Sequence, residues 1–327
     1  MPIPLKTGET LRGRYRVRRI IGQGGMGCIY LADDLRLEGR QCALKEVEND
    51  KTLPVKMIQE AREQFMREAT ILARLDHPNL PKVSDFFTNG SRDYLVMDYI
   101  PGKDLRTIMT EAIEKKTFIP EMELLNWANQ LADALSYLHQ QNPPILHRDI
   151  KPSNVKLTPA GVLKLVDFGL AKLLAPGEVT ITILQGQGTA LYTPFEQYGG
   201  DIGHTDARSD IFSFGATVYH LLTNHAPADA RERFLNPDAL IEPKVINPAV
   251  SLRTQKAVLW AMELHPDDRP ESIEAFREAL IGSRPIMING SRHLSTKYDW
   301  LQDRVNRYLA ISISILAVFT LLVTLLH

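Results

Sequence analysis

The stretch His147-Arg148-Asp149-Ile150-Lys151-Pro152-Ser153-Asn154, followed after Val155 to Val166 by Asp167-Phe168-Gly169, decides how this chain reads. Two acidic residues and an Asn stand at fixed separations between short β-branched runs. That arrangement places one proton acceptor and two hard oxygen ligands around one small volume. The rest of the sequence is read for what it brings to that volume.

Upstream lies Gly22-Gln23-Gly24-Gly25-Met26-Gly27, with Ile29 two residues past the last glycine. Glycines there let backbone amides approach phosphate oxygens without a Cβ in the way. The same pattern also fits a dinucleotide-binding turn or a flexible hairpin. A dinucleotide fold, however, wants a helix directly afterwards and an acidic residue about 20 positions on. Here Cys28 to Ala32 reads as strand, and the residue that stands out downstream is Lys45. Lys45 ends the apolar run Cys42-Ala43-Leu44-Lys45; by itself it is a residue whose stem snorkels to solvent. Met57 to Leu75 reads as a helix stopped by Asp76-His77-Pro78, with Ala61, Phe65, Glu68, Leu72 and Leu75 at helical spacing. Glu68 is thus one carboxylate on an apolar stripe. A buried acid needs a partner, and Lys45 is the candidate.

Taken in order, these motifs resemble a protein kinase, specifically a bacterial eukaryote-like (Hanks-type) serine/threonine kinase, over roughly residues 15 to 280. The resemblance implies the roles that follow. Gly22, Gly24 and Gly27 cover the phosphates of ATP. Lys45 holds the α- and β-phosphates, and Glu68 fixes Lys45. Asp149 accepts or orients the proton of the substrate hydroxyl. Lys151 neutralises charge on the transferring group and, at that position, is similar to serine/threonine rather than tyrosine kinases. Asn154 and Asp167 are the Mg²⁺ ligands, with Mn²⁺ an alternative ion. Ile29 and Ala43 cover the adenine, Met97 is the gatekeeper, and Asp98 and Ile100 offer hinge hydrogen bonds. Arg148 pairs with a phosphothreonine of the activation segment, Asp167 to Glu196, where Thr180 and Thr182 are the expected autophosphorylation sites. Thr189 lies near the phosphoacceptor, and Glu196 pairs with Arg269. Asp210 braces the catalytic loop through backbone amides, or serves as an ordinary helix N-cap.

Two departures from the family pattern stand out. The usual Ala-Pro-Glu is Pro194-Phe195-Glu196. Two residues past Asn154, where an apolar pocket floor is expected, stands Lys156. Either its aliphatic stem lies under the base or a shifted register gives that place to Leu157. Rivals from other classes are a pseudokinase acting as a nucleotide-binding signalling scaffold, and a small-molecule kinase. The lysine, the catalytic Asp and the metal Asp are all present, against the first. Lys151 and the region through Arg269 argue against the second.

The expected fold is α+β: a two-lobed kinase fold with a β-rich N-lobe (about 15–99) and a helical C-lobe (about 100–281). Arg14 to Glu48 reads as three antiparallel strands, and Val83 to Tyr99 as a hairpin turning at Asn89-Gly90. Met122 to Gln140, Asp210 to Leu222, Thr254 to Leu264 and Ser272 to Ile281 read as helices, the second apolar nearly all round. Residues 282–307 read as a juxtamembrane linker. Tyr308 to Leu326 holds nineteen residues with no charge among them, about 28 Å as a helix and close to bilayer thickness. Arg284, Arg292, Lys297, Arg304 and Arg307 precede it and only His327 follows. A single-pass anchor with the folded part in the cytoplasm, and no sensor beyond the membrane, is expected. Either partner proteins sense for such a chain, or the anchor concentrates it on the membrane and promotes self-association for phosphorylation in trans.

The bulk composition fits this. The 327 residues are 44% hydrophobic, and a net charge of −1 argues against nucleic acid as a partner. Protein substrates are the expected partners. Cys28 and Cys42 are too few for a disulfide framework and read as buried thiols in a reducing compartment. Met1-Pro2-Ile3-Pro4-Leu5 lacks a signal-peptide pattern.

Overall fold

A computed structural model describes residues 3–24, 27–48, 54–167, 190–198 and 206–282. The linker and the proposed anchor, residues 283–327, lie outside the described residues, as do Thr180, Thr182 and Thr189. Among the described residues no helix is long and apolar enough to cross a membrane.

The N-terminal part is an antiparallel six-stranded sheet in the order β1-β2-β3-β4-β6-β5. Its strands are β1 (Thr10–Leu11), β2 (Tyr15–Gly24), β3 (Gly27–Asp34), β4 (Gln41–Glu48), β5 (Val83–Asn89) and β6 (Arg92–Asp98). The three strands and the hairpin expected from alternation are all present. The hairpin turns one residue later than the Asn89-Gly90 pair suggests: Asn89 still pairs with Arg92, and Gly90, at φ 64°, takes the first of the two turn positions, where a left-handed backbone favours glycine. Strand alternation then sorts β4. Cys42 and Leu44 enter a small core on one face of the sheet, with Tyr30, Tyr94 and Val96. Ala43 enters the main core with Leu95 and Met97. Lys45, two residues from Ala43, therefore shares Ala43's face.

The sheet also begins earlier than residue 15. Leu5 donates its amide to the Tyr30 hydroxyl at 3.0 Å, Arg92 Nη2 donates to the Ile3 carbonyl at 2.8 Å, and β1 pairs with β2. A two-residue strand has too little periodicity to be read from sequence.

Helix α1 (Val55–Leu72) packs on β5 and β6. It ends three residues before the expected Leu75, in a turn closed by Ala73 donating to Ala69 at 2.9 Å. Phe65, Glu68, Leu72 and Leu75 are all at most 6% exposed. The helical part holds α2 (Leu105–Glu114), α3 (Glu121–His139), α4 (Ala207–Thr223), α5 (Ala230–Leu235), α6 (Pro243–Ile246), α7 (Leu252–Ala261) and α8 (Ile273–Ile281). Every residue of α4 from Ser209 to Thr223 except His220 is buried, as its near-uniform apolarity predicts. α3, α7 and α8 surround it. A three-stranded sheet, β7 (Lys103–Asp104), β8 (Val155–Leu157) and β9 (Leu163–Leu165), lies beside the catalytic stretch.

Candidate active site

Asp149 follows directly on a strained residue. Arg148 holds φ 60°, a left-handed conformation that costs a non-glycine residue about 1–2 kcal/mol. The cause lies in the helix behind it. Asp210, fully buried in the first turn of α4, accepts the amide of His147 through Oδ2 and that of Arg148 through Oδ1, each at 2.8 Å. His139, at the end of α3, meets Asp210 Oδ2 at 2.9 Å. Burial works against ionisation of Asp210, but the His139 contact, the neighbouring imidazoles and the amides hold the carboxyl below its ordinary value. The N-cap of α4 is Asp206, whose side chain accepts from Arg208 N at 2.8 Å, so the N-cap reading of Asp210 is replaced by the bracing one. His139 was not singled out from sequence. It closes an amphipathic helix, and only the fold brings it to Asp210.

Around Asp149 the contacts divide between its two oxygens. Lys151 Nζ sits 2.8 Å from Oδ2, and Asn154 Nδ2 donates to Oδ2 and to the Asp149 carbonyl, both at 2.8 Å. Oδ1 is buried and accepts no hydrogen bond among the described residues. A buried carboxylate oxygen with an open lone pair is a site for one more donor, such as a hydroxyl. Asn154 spends its amide nitrogen on Asp149, which turns its carbonyl oxygen away. Val166 N donates to Asn154 O at 2.8 Å and so brings Asp167 beside Asn154. One amide oxygen and one carboxylate make a donor set that fits a hard divalent cation, with phosphate oxygens and water completing the shell.

Asp167, also at φ 60°, is ion-paired with Lys45. Burial raises its proton affinity, yet the Lys45 charge and hydrogen bond overcome this and keep the carboxyl below its ordinary value. Lys45 therefore reaches across to the metal side of the site. Glu68, 4% exposed on α1, accepts from Gln64 Nε2 at 2.9 Å and lies near enough to Arg148 to act on its charge. Arg148 Nε is buried with no hydrogen-bond partner among the described residues.

Gly27 has a demonstrable steric need. Its φ is 150°, and a Cβ there would lie 2.2 Å from the Glu46 carbonyl oxygen. Gly27 thus lets β3 close on β4 one residue from Lys45. A Cβ on Gly22 would make only ordinary 3.5 Å contacts with Ile29. Gly24 of β2 pairs with Gly27 of β3.

Ile29 pairs with Lys45, and Ala43 lies between Leu31 and Met97. Ala43, Met97 and Ile100 are 7–8% exposed. Asp98 donates its amide to the Lys82 carbonyl at 3.0 Å, which removes that donor from the hinge. For Ile100 no backbone hydrogen bond is found among the described residues. Lys156 is half-buried, and burial, only partly offset by Asp104 and reinforced by Arg19, lowers its proton affinity.

Farther along, Arg269 grips Glu196 bidentately at 2.7 and 2.9 Å, and Ser209 Oγ adds a third bond at 2.7 Å. The guanidinium also donates to the carbonyls of Glu263, Leu264 and Arg208 and lies 4.9 Å over the Phe212 ring. Phe195, the departure from Ala-Pro-Glu, stacks on Phe234 of α5 with ring centroids 4.8 Å apart. The substitution gives this segment an aromatic contact to the helical part.

Comparison with known proteins agrees with this geometry. The family described as protein kinase domain matches residues 15–276. A probable serine/threonine-protein kinase of Streptomyces coelicolor is 34% identical over 289 residues, covering 84% of this chain and 41% of the relative. PrkC of Bacillus subtilis is 32% identical over 275 residues, covering 82% and 40%. The chain thus spans less than half the length of these curated relatives. The crystal structure of the Mycobacterium tuberculosis PknI kinase domain superposes with a TM-score of 0.64 at 28% identity, over 85% of this chain and 98% of that one. The chain belongs to the protein kinase family, among the bacterial Hanks-type serine/threonine kinases.

Proposed function

We propose that this chain transfers the γ-phosphoryl group of ATP to serine or threonine hydroxyls of proteins. The observation that carries the reading is Asp149, with one oxygen held by Lys151 and Asn154 and the other buried and, among the described residues, open. In that reading Oδ1 accepts the hydroxyl proton as the oxygen attacks phosphorus, and Lys151 offsets charge on the transferring group. Lys45 orients the α- and β-phosphates. Asn154 and Asp167 would hold Mg²⁺ or Mn²⁺, which supplies charge neutralisation to the phosphates. Positioning and electrostatics suffice for this step, since it needs little covalent help.

The test is incubation of the full chain with γ-labelled ATP and a generic basic protein, beside an aminoglycoside as small-molecule acceptor. Label on protein serine or threonine supports the reading. Label on the small molecule alone, or none, refutes it.

Three finer elements belong to the same proposal. Thr180 and Thr182 are autophosphorylation sites; the buried Arg148 Nε supports this, as a guanidinium suited to a phosphate. Mass spectrometry after Mg-ATP treatment that finds neither threonine modified would remove it. Residues 308–326 anchor the chain in the cell membrane with the kinase domain in the cytoplasm, on the strength of their uncharged length and basic flank. Recovery of the full chain from the soluble rather than the membrane fraction would exclude the anchor. Anchored chains meet in the membrane plane and phosphorylate each other in trans; a first-order rate independent of chain concentration would contradict that.

A further inference from the structure

Glu46, the residue after Lys45 on β4, is a buried carboxylate with no part in the reaction as written. It pairs in register with Tyr94, and by strand alternation it shares the face of Leu44 in the small core. Lys45 points to the opposite face. Glu46 is 2% exposed, and its Oε2 gathers three donors: Tyr94 Oη at 2.9 Å, Arg92 Nη1 at 3.1 Å and Tyr30 Oη at 3.4 Å. Tyr30 lies on β3 and the other two on β6, so one oxygen links the strands on both sides of β4. Burial and the Glu46 carboxylate raise the proton affinity of the Tyr94 hydroxyl, which keeps it a donor. Glu46 Oε1 is buried and accepts no hydrogen bond among the described residues, so the charge depends on the donors at Oε2.

Two of those donors are themselves fixed by the chain that precedes residue 15, where the family match begins. Arg92 Nη2 donates to the Ile3 carbonyl, and the Tyr30 hydroxyl accepts the Leu5 amide. Leu5 packs on the same small core. Through its backbone, Glu46 also bears on the phosphate end of the cleft. Its carbonyl is the group on which Gly27 closes, and Lys45 is its neighbour, in register with Ile29 of β3 and Leu95 of β6. A shift of β4 at Glu46 therefore moves Lys45 and the Gly27 approach together. Ala43 is held separately, in the main core with Leu95 and Met97.

Resting on the proposed function, we propose that Glu46 is a positioning residue for the phosphates of ATP, seated by Tyr30, Tyr94 and Arg92. It touches neither nucleotide nor metal. It sets where β4 lies between its neighbours, and with it the Lys45 ammonium and the glycine turn. Its influence falls on the phosphates and spares unphosphorylated adenosine.

Tyr94→Phe removes one donor and keeps the ring; Arg92→Met removes the bonds to both Glu46 and Ile3. Calorimetry on the full chain should show the Kd for ATP raised roughly 2- to 10-fold in each variant, with the Kd for adenosine unchanged. Glu46→Gln, which keeps the shape and loses the charge, should show the same split. A lowered melting temperature with unchanged ATP affinity would make the cluster structural only and overturn the inference. An equal loss for ATP and adenosine would overturn it as well. A wild-type chain that binds neither ligand refutes the proposed function too, whereas wild-type binding of both with no split in the variants refutes this inference alone.

Discussion

In an Asp210→Ala protein the amides of His147 and Arg148 lose the acceptor they share in the wild type. Both bonds are 2.8 Å long and end on a carboxylate with no exposure to solvent. A buried donor left without a partner costs roughly 1–3 kcal/mol, so two of them cost about 2–6 kcal/mol. That is a large share of the roughly 5–15 kcal/mol typical of a domain. The left-handed Arg148, at about 1–2 kcal/mol of strain, loses the contact that holds it and relaxes. Asp149 is the next residue and moves with it. A displacement of ~1 Å at a reacting group costs about 10²-fold in rate. Denaturant unfolding should therefore show the variant destabilised by at least about 2 kcal/mol. Steady-state kinetics should show kcat reduced about 100-fold with KM for ATP little changed, because Lys45 and Asp167 are untouched. A variant within about 0.5 kcal/mol of wild type, with kcat within about twofold, would refute this account of the brace.

Arg269→Met should destabilise the fold by roughly 3–5 kcal/mol in chemical denaturation, since it strands Glu196 as a buried carboxylate. The same pair sets a pH dependence. Burial opposes ionisation of Glu196, but the Arg269 hydrogen bonds prevail and depress its folded-state pKa below the ordinary 4.5. Its contribution is therefore full above about pH 4.5 and lost as pH falls through the depressed value. The stability gap between wild type and Glu196→Gln should accordingly shrink only below that pH, when followed by thermal melts from about pH 3 to about pH 7. Gly27→Ala forces a Cβ to within 2.2 Å of the Glu46 carbonyl unless the strands part. Its effect should appear as a KM for ATP raised several-fold with the melting temperature lowered by a few degrees; an unchanged KM would sink the reading.

Much of this site was legible because its chemistry lies in one short stretch. Asp149, Lys151 and Asn154 are near neighbours in sequence, and their mutual contacts follow from a single turn. The helical spacing of Phe65, Glu68 and Leu72 placed Glu68 inward, whereas the face of Lys45 needed the two cores that sort the residues of β4. What sequence left open depended on long-range geometry. His139 meets Asp210 only because α3 and α4 pack together. Asp206 rather than Asp210 caps α4, a difference of one turn that no periodicity resolves. The choice between Lys156 and Leu157 needed the pairing of β8 with β9, which sets Leu157 against the buried Leu163 and turns Lys156 the other way. The Gly27 requirement comes from a neighbouring strand's backbone, and phosphate contact alone would not have revealed it.

The central claim is that Asp149 performs proton acceptance in phosphoryl transfer. Asp149→Asn keeps the shape and the contacts of Oδ2 but removes the base. The direct measurement is the single-turnover rate of label transfer from ATP to protein, with ATP affinity followed separately. The account predicts a fall of about 10²–10⁴-fold in rate with the Kd for ATP held within a few-fold. Transfer at near wild-type rate in the Asn variant would contradict it.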